Sequence, residues 1–427
     1  MQYPKGLGEG RRMNAPTPHT GSAGESILVQ KFGGTCLDSR EKRQLACDRI
    51  QEALDKGFRV LAVVSAMGRK GEPYATDTLI ALAKGISPEI APRELDLLLS
   101  CGEIISAVLM VQELKTRNIP ALALSGGQAG IITDTNFGDA GIIAVNSTHA
   151  KRHLDEGKVV VVAGFQGMAQ SGDITTLGRG GSDTTAAALG SALLARCVEI
   201  YTDVEGIMTA DPKMVRSAKT IPFVTYDEVI HLAMEGAKVI HPRAVHIASR
   251  AQVPIRVRSL EADSKETIIG SGEDRETPWL LLRNDNPVTG ITYVPGRAQV
   301  TVNLCPAGLM QQLTCILQSL ADICLDVINV FPDRLSFAVA EDMAGEAVSR
   351  LGDLRDSARV QTGTAKVTVI GHGIHGRAGV MNNVATALAR ANIRILGSSD
   401  SNITISCLIE EEHLHRAVNA LHDAFGL

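Results

Sequence analysis

From Ser26 onward the chain alternates short, almost wholly apolar runs with stretches of helical character, and no other feature limits its fold so sharply. The runs are ILVQKF (27–32), RVLAVVSA (59–66), PALALSG (120–126), KVVVVAGF (158–165), VEIYTDV (198–204) and PIRVRS (254–259). Residues 39–56, 92–115, 140–154, 183–196 and 243–252 read as helices between them. Runs of Val, Ile, Leu and Ala without polar alternates predict strands covered on both faces. Helices between such strands predict βαβ crossovers and a mainly parallel α/β sheet sandwiched by helices. Aromatic residues make up only 3% of the chain, so its cores must be filled by small aliphatic side chains, as parallel strands under Ala-rich helices require. Residues 26–262 are expected to form this one domain. Residues 1–25, rich in Gly, Pro, Ser and Thr, are expected to be a disordered tail, with Met13 a possible start.

A polar stretch interrupts the pattern, and residues 263–285 read as a linker. Two shorter rounds follow. The first has strand QVTVNL, helix 307–321, strands CLDVINV and LSFAVA, and helix 343–351; the second has strand KVTVIG, helix 377–391, strands IRILGS and ITISCLI, and helix 411–424. Each round is a β-α-β-β-α unit of the ferredoxin-like βαββαβ kind, which predicts an internal duplication with modules at 286–361 and 362–427.

Charge and cysteine usage exclude several classes. Lys plus Arg number 42 against 47 Asp plus Glu, a net charge of −5, so no basic surplus exists for a nucleic-acid backbone. No apolar stretch approaches the ~18 residues of a membrane span. The eight cysteines include no C-x-x-C pair and no apolar leader is visible, so a reduced, cytoplasmic setting is expected. The histidines lack zinc-ligand spacing, and no metal site is expected.

In a sheet of this kind ligands sit beyond the carboxyl ends of the strands. Lys31-Phe32-Gly33-Gly34-Thr35 ends the first strand: two glycines admit an anion to backbone N–H groups beside a lysine, although a plain Gly-Gly turn reads equally well. Gly178-Arg179-Gly180-Gly181-Ser182-Asp183 precedes an Ala-rich helix, so its N–H groups and Arg179 form a second anion site. Asp183 is either a first-turn acid complementing the helix dipole or a group that orients a nearby lysine. Tyr201-Thr202-Asp203 opens a polar loop through Asp211-Pro212-Lys213 that suits a nucleotide or simply turns. Glu103 lies among Leu97, Leu98, Leu99, Ile104 and Ile105 and needs a cationic partner if buried. Gly371-His372-Gly373-Ile374-His375-Gly376 satisfies the local dinucleotide fingerprint, yet only about fifty residues follow, too few for the βα units of a dinucleotide crevice. Neither a Walker A sequence nor an H-R-D signature is present.

In order along the chain, these motifs resemble those of the aspartate kinases of the amino acid kinase superfamily. Lys31 to Thr35 is similar to that family's K-F-G-G-T, Ser65-Ala66 to its S-A turn, Gly102-Glu103 to its acidic helix motif and Gly178 to Asp183 to its G-R-G-G-S-D. Tyr201 to Val204 is similar to its [WY]-T-D-V, and Gly236 to Pro242 to its G-A-K-V-[IL]-H-P. The two C-terminal rounds resemble paired ACT domains, and the close AVNALHDAF looks most like the diaminopimelate-regulated enzymes of spore-forming bacteria. The resemblance implies the amino acid kinase fold followed by two ACT modules. It also implies ATP-dependent phosphorylation of the L-aspartate side chain to 4-phospho-L-aspartate, the first step toward lysine, diaminopimelate, threonine and methionine.

By the same resemblance Lys31 is the catalytic cation, oriented by Asp183 and helped by Gly33 and Gly34. Thr35, Glu103, Arg179 and Ser182 meet aspartate, while Thr202, Asp203, Lys213 and Lys238 hold ATP, with Mg²⁺ arriving on the nucleotide. Val380, Met381, Asn392, Ile393, Asp400 and Asn402 are the implied effector contacts for diaminopimelate, lysine or threonine, and a homo-oligomer built through the ACT modules is implied. Three departures stand out: Cys36 replaces the usual Ser, Lys213 the usual Arg, and Cys305-Pro306-Ala307-Gly308 the Asp-x-Pro-Gly loop. The rival readings are a kinase for another acidic amino acid, a non-catalytic amino-acid sensor, and a dehydrogenase using the fingerprint at 371–376.

Overall fold

The computed structural model describes residues 26–237, 239–261, 265–271, 286–374 and 377–427. The expected tail at 1–25 and most of the expected linker lie outside these residues. Eight strands form the principal sheet in the order Phe223–Thr225, Glu266–Gly270, Ile255–Ser259, Cys197–Thr202, Ile27–Phe32, Arg59–Val64, Val159–Ala163, Ala121–Leu124. All neighbours run parallel except Ile255–Ser259 and Glu266–Gly270. Each of the six apolar runs supplies one strand.

The residues from Val159 to Ala163 are at most 1% exposed, as a strand covered on both faces demands. Val29, Leu61, Val63, Val160 and Val162 pack on one side with the Ala-rich helix Gly181–Ala192 and with Pro242–Ala251. Leu28, Val60, Ala62, Val64 and Val161 pack on the other with helices Arg40–Asp55 and Pro92–Thr116. The period of two in side-chain direction thus sorts each strand between two cores.

Three features depart from expectation. The segment expected as a helix from 140 opens as strand Ile142–Val145, and helix begins only at Thr148. Its β-branched Ile-Ile-Ala-Val run favours a strand, and Asn146-Ser147 separates it from the helix. This strand joins Ile131–Thr133, Gln166–Ala169 and Ile174–Thr176 in a small second sheet beside the first. The expected linker contains strand Glu266–Gly270, whose Ile268 and Ile269 are buried, so the principal sheet extends beyond residue 262.

The third departure concerns the C-terminal modules. One six-stranded antiparallel sheet runs Asp326–Val330, Arg334–Ala340, Gly290–Asn303, Ala358–Ile370, Thr404–Glu410, Gly397–Asp400. Strands 290–303 and 358–370 pass through both modules, and their pairing shifts register between Val294 and Arg297. Ala298, Val300 and Val302 belong to one core, with Leu335 and Phe337. Ile291, Ala365, Val367 and Val369 belong to the other, with Val418 and Leu421. The expected boundary at 361/362 is corrected accordingly: the first module, 297–364, is inserted into the second, which joins 290–294 to 365–427. The cause is topological. A β-α-β-β-α round lacks the fourth strand of the βαββαβ unit, and no strand follows helix Leu414–Ala424, so the second module takes that strand from residues 290–294. The strand expected at 393–398 begins only at Gly397. Strand 358–370, which leads into the glycine fingerprint, has antiparallel partners on both sides, so no parallel dinucleotide crevice forms there.

One buried cation ties the parts together. Lys366 lies 2.7 Å from Glu235, just beyond helix Tyr226–Met234, and also pairs with Asp326 of the inserted module. Lys366→Met would leave Glu235 without its cation and Asp326 with only Arg297, at 3.8 Å. We expect it to cost about 3–5 kcal/mol, read as a lowered urea midpoint. An unchanged midpoint would show that Lys366 does not hold them.

Candidate active site

The parallel strands of the principal sheet end along one edge, and the site is built there. Strand Ile27–Phe32 places Lys31 opposite Val63 and Ile200 on its neighbours. The following Gly34 is close-packed: a Cβ there would sit 2.4 Å from the Ala66 carbonyl oxygen. Only glycine lets the backbone pass at that distance. The Gly33 N–H, expected to face an anion, instead donates to the Tyr201 carbonyl at 3.2 Å, which fixes the turn to the neighbouring strand.

Across the edge, the loop from Gly178 enters helix Gly181–Ala192. Its cap residue Gly180 has φ +66°, and a Cβ there would meet the His241 Cβ at 2.2 Å. Ser182 and Asp183 occupy the first turn and are buried. Asp183 Oδ1 lies 2.7 Å from Lys31 Nζ, with both side chains 11% exposed. Both features read for Asp183 are present: it is the acid of the helix's first turn and the ion-pair partner of Lys31. Arg179 is exposed beside them, and its guanidinium forms no ion pair among the described residues.

The third wall is helix Pro92–Thr116. Asp96, Ser100 and Glu103 recur at i, i+4 and i+7, so one buried polar stripe faces inward. Glu103 Oε1 accepts the Ala66 N–H at 3.1 Å, while buried Oε2 meets no donor among the described residues. Burial pushes the Glu103 pKa up to about 8, and the Ala66 hydrogen bond offsets this only in part. Lys31, Gly34, Glu103, Arg179, Ser182 and Asp183 all line one cavity of about 590 Å³.

Other expected residues fall elsewhere. Thr202 ends strand Cys197–Thr202 beside the Gly33 turn, and exposed Asp203 pairs with Arg69 at 2.8 Å. Lys213 is exposed on the following loop, its N–H donating to Asp211 Oδ1. Thr35 sits in the short turn Gly34–Cys36, its carbonyl accepting from Lys42 Nζ at 2.9 Å, and does not line the cavity. Lys238 lies outside the described residues. Cys36 is buried, and desolvation raises its thiol pKa, so it fills space and stays protonated.

Sequence reasoning missed Asp96, which is 1% exposed and accepts from the Thr176 N–H, the Thr176 hydroxyl and the Gly138 N–H at 2.8, 2.7 and 3.0 Å. An acid at 96 between Leu95 and Leu97 carries the same signal that singled out Glu103, two turns away. Arg243 was also missed. It donates to the Leu177 carbonyl at 3.0 Å and pairs with Asp139 at 3.0 Å, bracing the loop that carries Arg179.

A second cavity, of about 320 Å³, lies in the C-terminal half. Val380, Met381 and Asp400 line it, with Arg377, Ser398 and Ser399. Asn392, Ile393 and Asn402 do not: Ile393 is buried in the module core, and Asn392 takes a φ of +53° after helix Val380–Arg390.

The sequence model of the amino acid kinase family matches residues 26–259, and that of the ACT domain matches 367–425. Together they define a kinase domain of that family joined to a regulatory ACT portion. Aspartokinase 1 of Bacillus subtilis (strain 168) is 44% identical over 405 residues, covering 94% of this chain and 99% of that protein. E. coli aspartokinase III, solved with aspartate and ADP (R-state), matches with a TM-score of 0.73 at 25% identity, covering 94% of this chain and 100% of that one. The same enzyme solved with lysine and aspartate (T-state) gives 0.69 at 25% identity over 93% and 99%. The chain belongs to the aspartokinases of the amino acid kinase family. Its activity is therefore the phosphorylation of aspartate, under allosteric control through its ACT portion.

Glu103 makes a stability prediction that does not depend on its role. Because its folded pKa is raised, the folded state holds a proton that the unfolded state loses above pH ~4.5, so burying Glu103 costs more as pH rises toward 8. Glu103→Gln should raise the melting temperature more at pH 8 than at pH 5. An equal effect at both pH values would show that the carboxyl is not desolvated.

Proposed function

We propose that the principal cavity holds aspartate and the terminal phosphate of ATP together, with Lys31 stabilising negative charge on the phosphoryl group in transfer. The observation that carries this reading is the convergence of Lys31, Arg179 and a helix N-terminus with the buried, unpaired Glu103 oxygen around one cavity. Cationic groups suit phosphate and carboxylate, whereas the orphaned Glu103 oxygen suits an ammonium donor. An α-amino acid with a side-chain carboxylate presents both charges. Arg179 grips the α-carboxylate, Glu103 accepts from the ammonium group, and Ser182 hydrogen-bonds the substrate. The attacking carboxylate is already ionised near pH 7, so the protein supplies orientation and charge and needs no general base.

Thr202 and Asp203, at a strand end beside the Gly33 turn, form the nucleotide side with Lys213 of the following loop, and Lys238 is assigned to it from the motif resemblance alone. The Arg69–Asp203 pair is exposed on both sides and worth little, so it yields readily to a ligand. ADP in the E. coli enzyme supports a nucleotide here. Mg²⁺ carried by the nucleotide would neutralise phosphate charge, and the exposed Asp203 on that side would suit an outer contact with it.

The functional division we propose follows the packing: a catalytic part, 26–271, and a regulatory part in which 297–364 is inserted between 286–294 and 365–427. The second cavity sets Arg377 and Asp400 around one space, opposite charges that fit the two ends of an amino-acid effector. Lysine in the E. coli T-state complex supports that class. Exposed Ile328, Val330 and Phe331, on and beside an edge strand of the regulatory sheet, favour association of two copies through these modules.

Lys31→Ala should lower kcat for aspartate-dependent ADP formation by at least about 10²–10³-fold, the scale of one lost electrostatic contact to a transition state. Turnover near that of the natural protein would refute the assignment. In a substrate panel, an N-acetylated acidic amino acid should fail, having no ammonium for Glu103.

A further inference from the structure

The segment from Ile207 to Ile221 follows the strand carrying Thr202 and contains Lys213. It closes on itself: the Thr209 N–H donates to the Lys219 carbonyl at 2.9 Å, the Ile221 N–H to the Ile207 carbonyl at 2.8 Å, and the Lys219 N–H to Thr209 Oγ1 at 3.0 Å. Ile207 and Ile221 anchor its base in the core of the catalytic part. Its far end is held by a different body. Ala210 and Val215 pack in the core of the second regulatory module, with Val367 and Leu421.

The polar contacts at that end are equally one-sided. The Thr209 carbonyl accepts the Ile291 N–H at 2.8 Å. The Thr209 hydroxyl lies 2.9 Å from Nε2 of buried His422. Asp211 Oδ2 accepts from the Tyr293 hydroxyl at 2.9 Å, and the Met214 carbonyl from Asn419 Nδ2 at 2.9 Å. Ile291 and Tyr293 belong to the strand lent by residues 290–294; Asn419 and His422 belong to helix Leu414–Ala424. Because Thr209 Oγ1 already accepts the Lys219 N–H, its proton is free to point at the imidazole, whose pKa burial lowers. Left to its base alone, this segment would lose conformational entropy at every residue on ordering around a ligand; docked, it is ordered beforehand.

We infer that Tyr293, His422 and Asn419 are positioning residues that hold segment 209–214 in its nucleotide-receiving shape, so that the second regulatory module sets affinity for the nucleoside triphosphate and not for aspartate. This rests on the proposed placement of Lys213 on the nucleotide side.

The test uses full-length Tyr293→Phe, His422→Ala and His422→Gln. ATP and aspartate are varied separately in the ADP-formation assay, and a fluorescent ATP analogue is titrated at equilibrium. Tyr293→Phe and His422→Ala should raise KM for ATP and Kd for the analogue about fivefold or more, with KM for aspartate and kcat within twofold. His422→Gln, which keeps a polar group toward Thr209, should recover part of the loss. Unchanged nucleotide affinity in Tyr293→Phe, the mildest change, overturns the inference. So does a rise in both KM values together with a fall in kcat and melting temperature, which would make the contacts purely structural. The underlying reading fails separately: if Lys213→Ala leaves Kd for the analogue unchanged, the segment does not serve the nucleotide, whatever the other variants do.

Discussion

The contact between Lys31 and Asp183 is the constraint on which the catalytic part turns. A buried ammonium is costly, and Lys31 also faces the N-terminus of helix Gly181–Ala192, whose partial positive charge repels it. Asp183 answers both problems. In the first turn it complements the helix dipole, and at 2.7 Å it neutralises the lysine. The pair requires strand Ile27–Phe32 and helix Gly181–Ala192 to meet across the sheet edge. The close passes at Gly34 and Gly180 secure this meeting, because neither position has room for a Cβ. Once Lys31 and Asp183 are paired, Arg179 and the helix N-terminus remain to receive an anion, in a cavity that Asp77, Asp96 and Glu103 also line.

The regulatory part is joined to this centre by more than a tether. Since the second module takes its fourth strand from residues 290–294, that strand leaves the catalytic part and pairs at once with residues 366–370 of the regulatory sheet. Glu228, the acid of the capping box on helix Tyr226–Met234, accepts from the Thr289 hydroxyl at 2.6 Å just before it. Lys366 adds a buried charge contact to Glu235 and Asp326 on either side. A displacement of helix Leu414–Ala424 or of the lent strand would therefore be felt in the 207–221 segment without crossing the principal sheet. Nothing longer than a few packed side chains need carry the coupling, which depends only on the module having two arrangements.

The legible parts of the sequence were those written in local periodicity and in short motifs. All six strand runs of the catalytic part were visible because continuous apolar stretches need burial on both faces, and Lys31, Glu103, Arg179, Ser182 and Asp183 were visible as motifs at strand and helix ends; the structure gathers them around one cavity. The short strands Ile131–Thr133 and Ile174–Thr176, three residues each, were not visible, since so few residues establish no period. The insertion of one module into the other was hidden for another reason. Both rounds have the same local pattern, and only pairing between residues 290–294 and 366–370 reveals which core each half-strand serves. Asp96 escaped because its partners Thr176 and Gly138 lie far along the chain, although its place in an apolar helix was the same warning as that of Glu103.

Glu103 shows how a feature that costs stability yields selectivity. In the free protein its carboxyl is pushed toward the protonated state, with one oxygen tied to the Ala66 N–H and the other unpaired. A ligand ammonium entering the cavity supplies the missing donor and a full positive charge, which favours the ionised carboxylate and releases the proton. Part of the binding energy is used for that ionisation, so the gain is largest for a ligand that brings a cation to this spot. A ligand with a neutral amide there brings at most one N–H donor and no charge, so it meets a buried acid that it cannot ionise. Discrimination by an unpaired buried polar group reaches far larger ratios than discrimination by a methylene-sized pocket. On the proposed reading, the choice of substrate rests on Glu103, a carboxylate whose Oε2 meets no donor among the described residues.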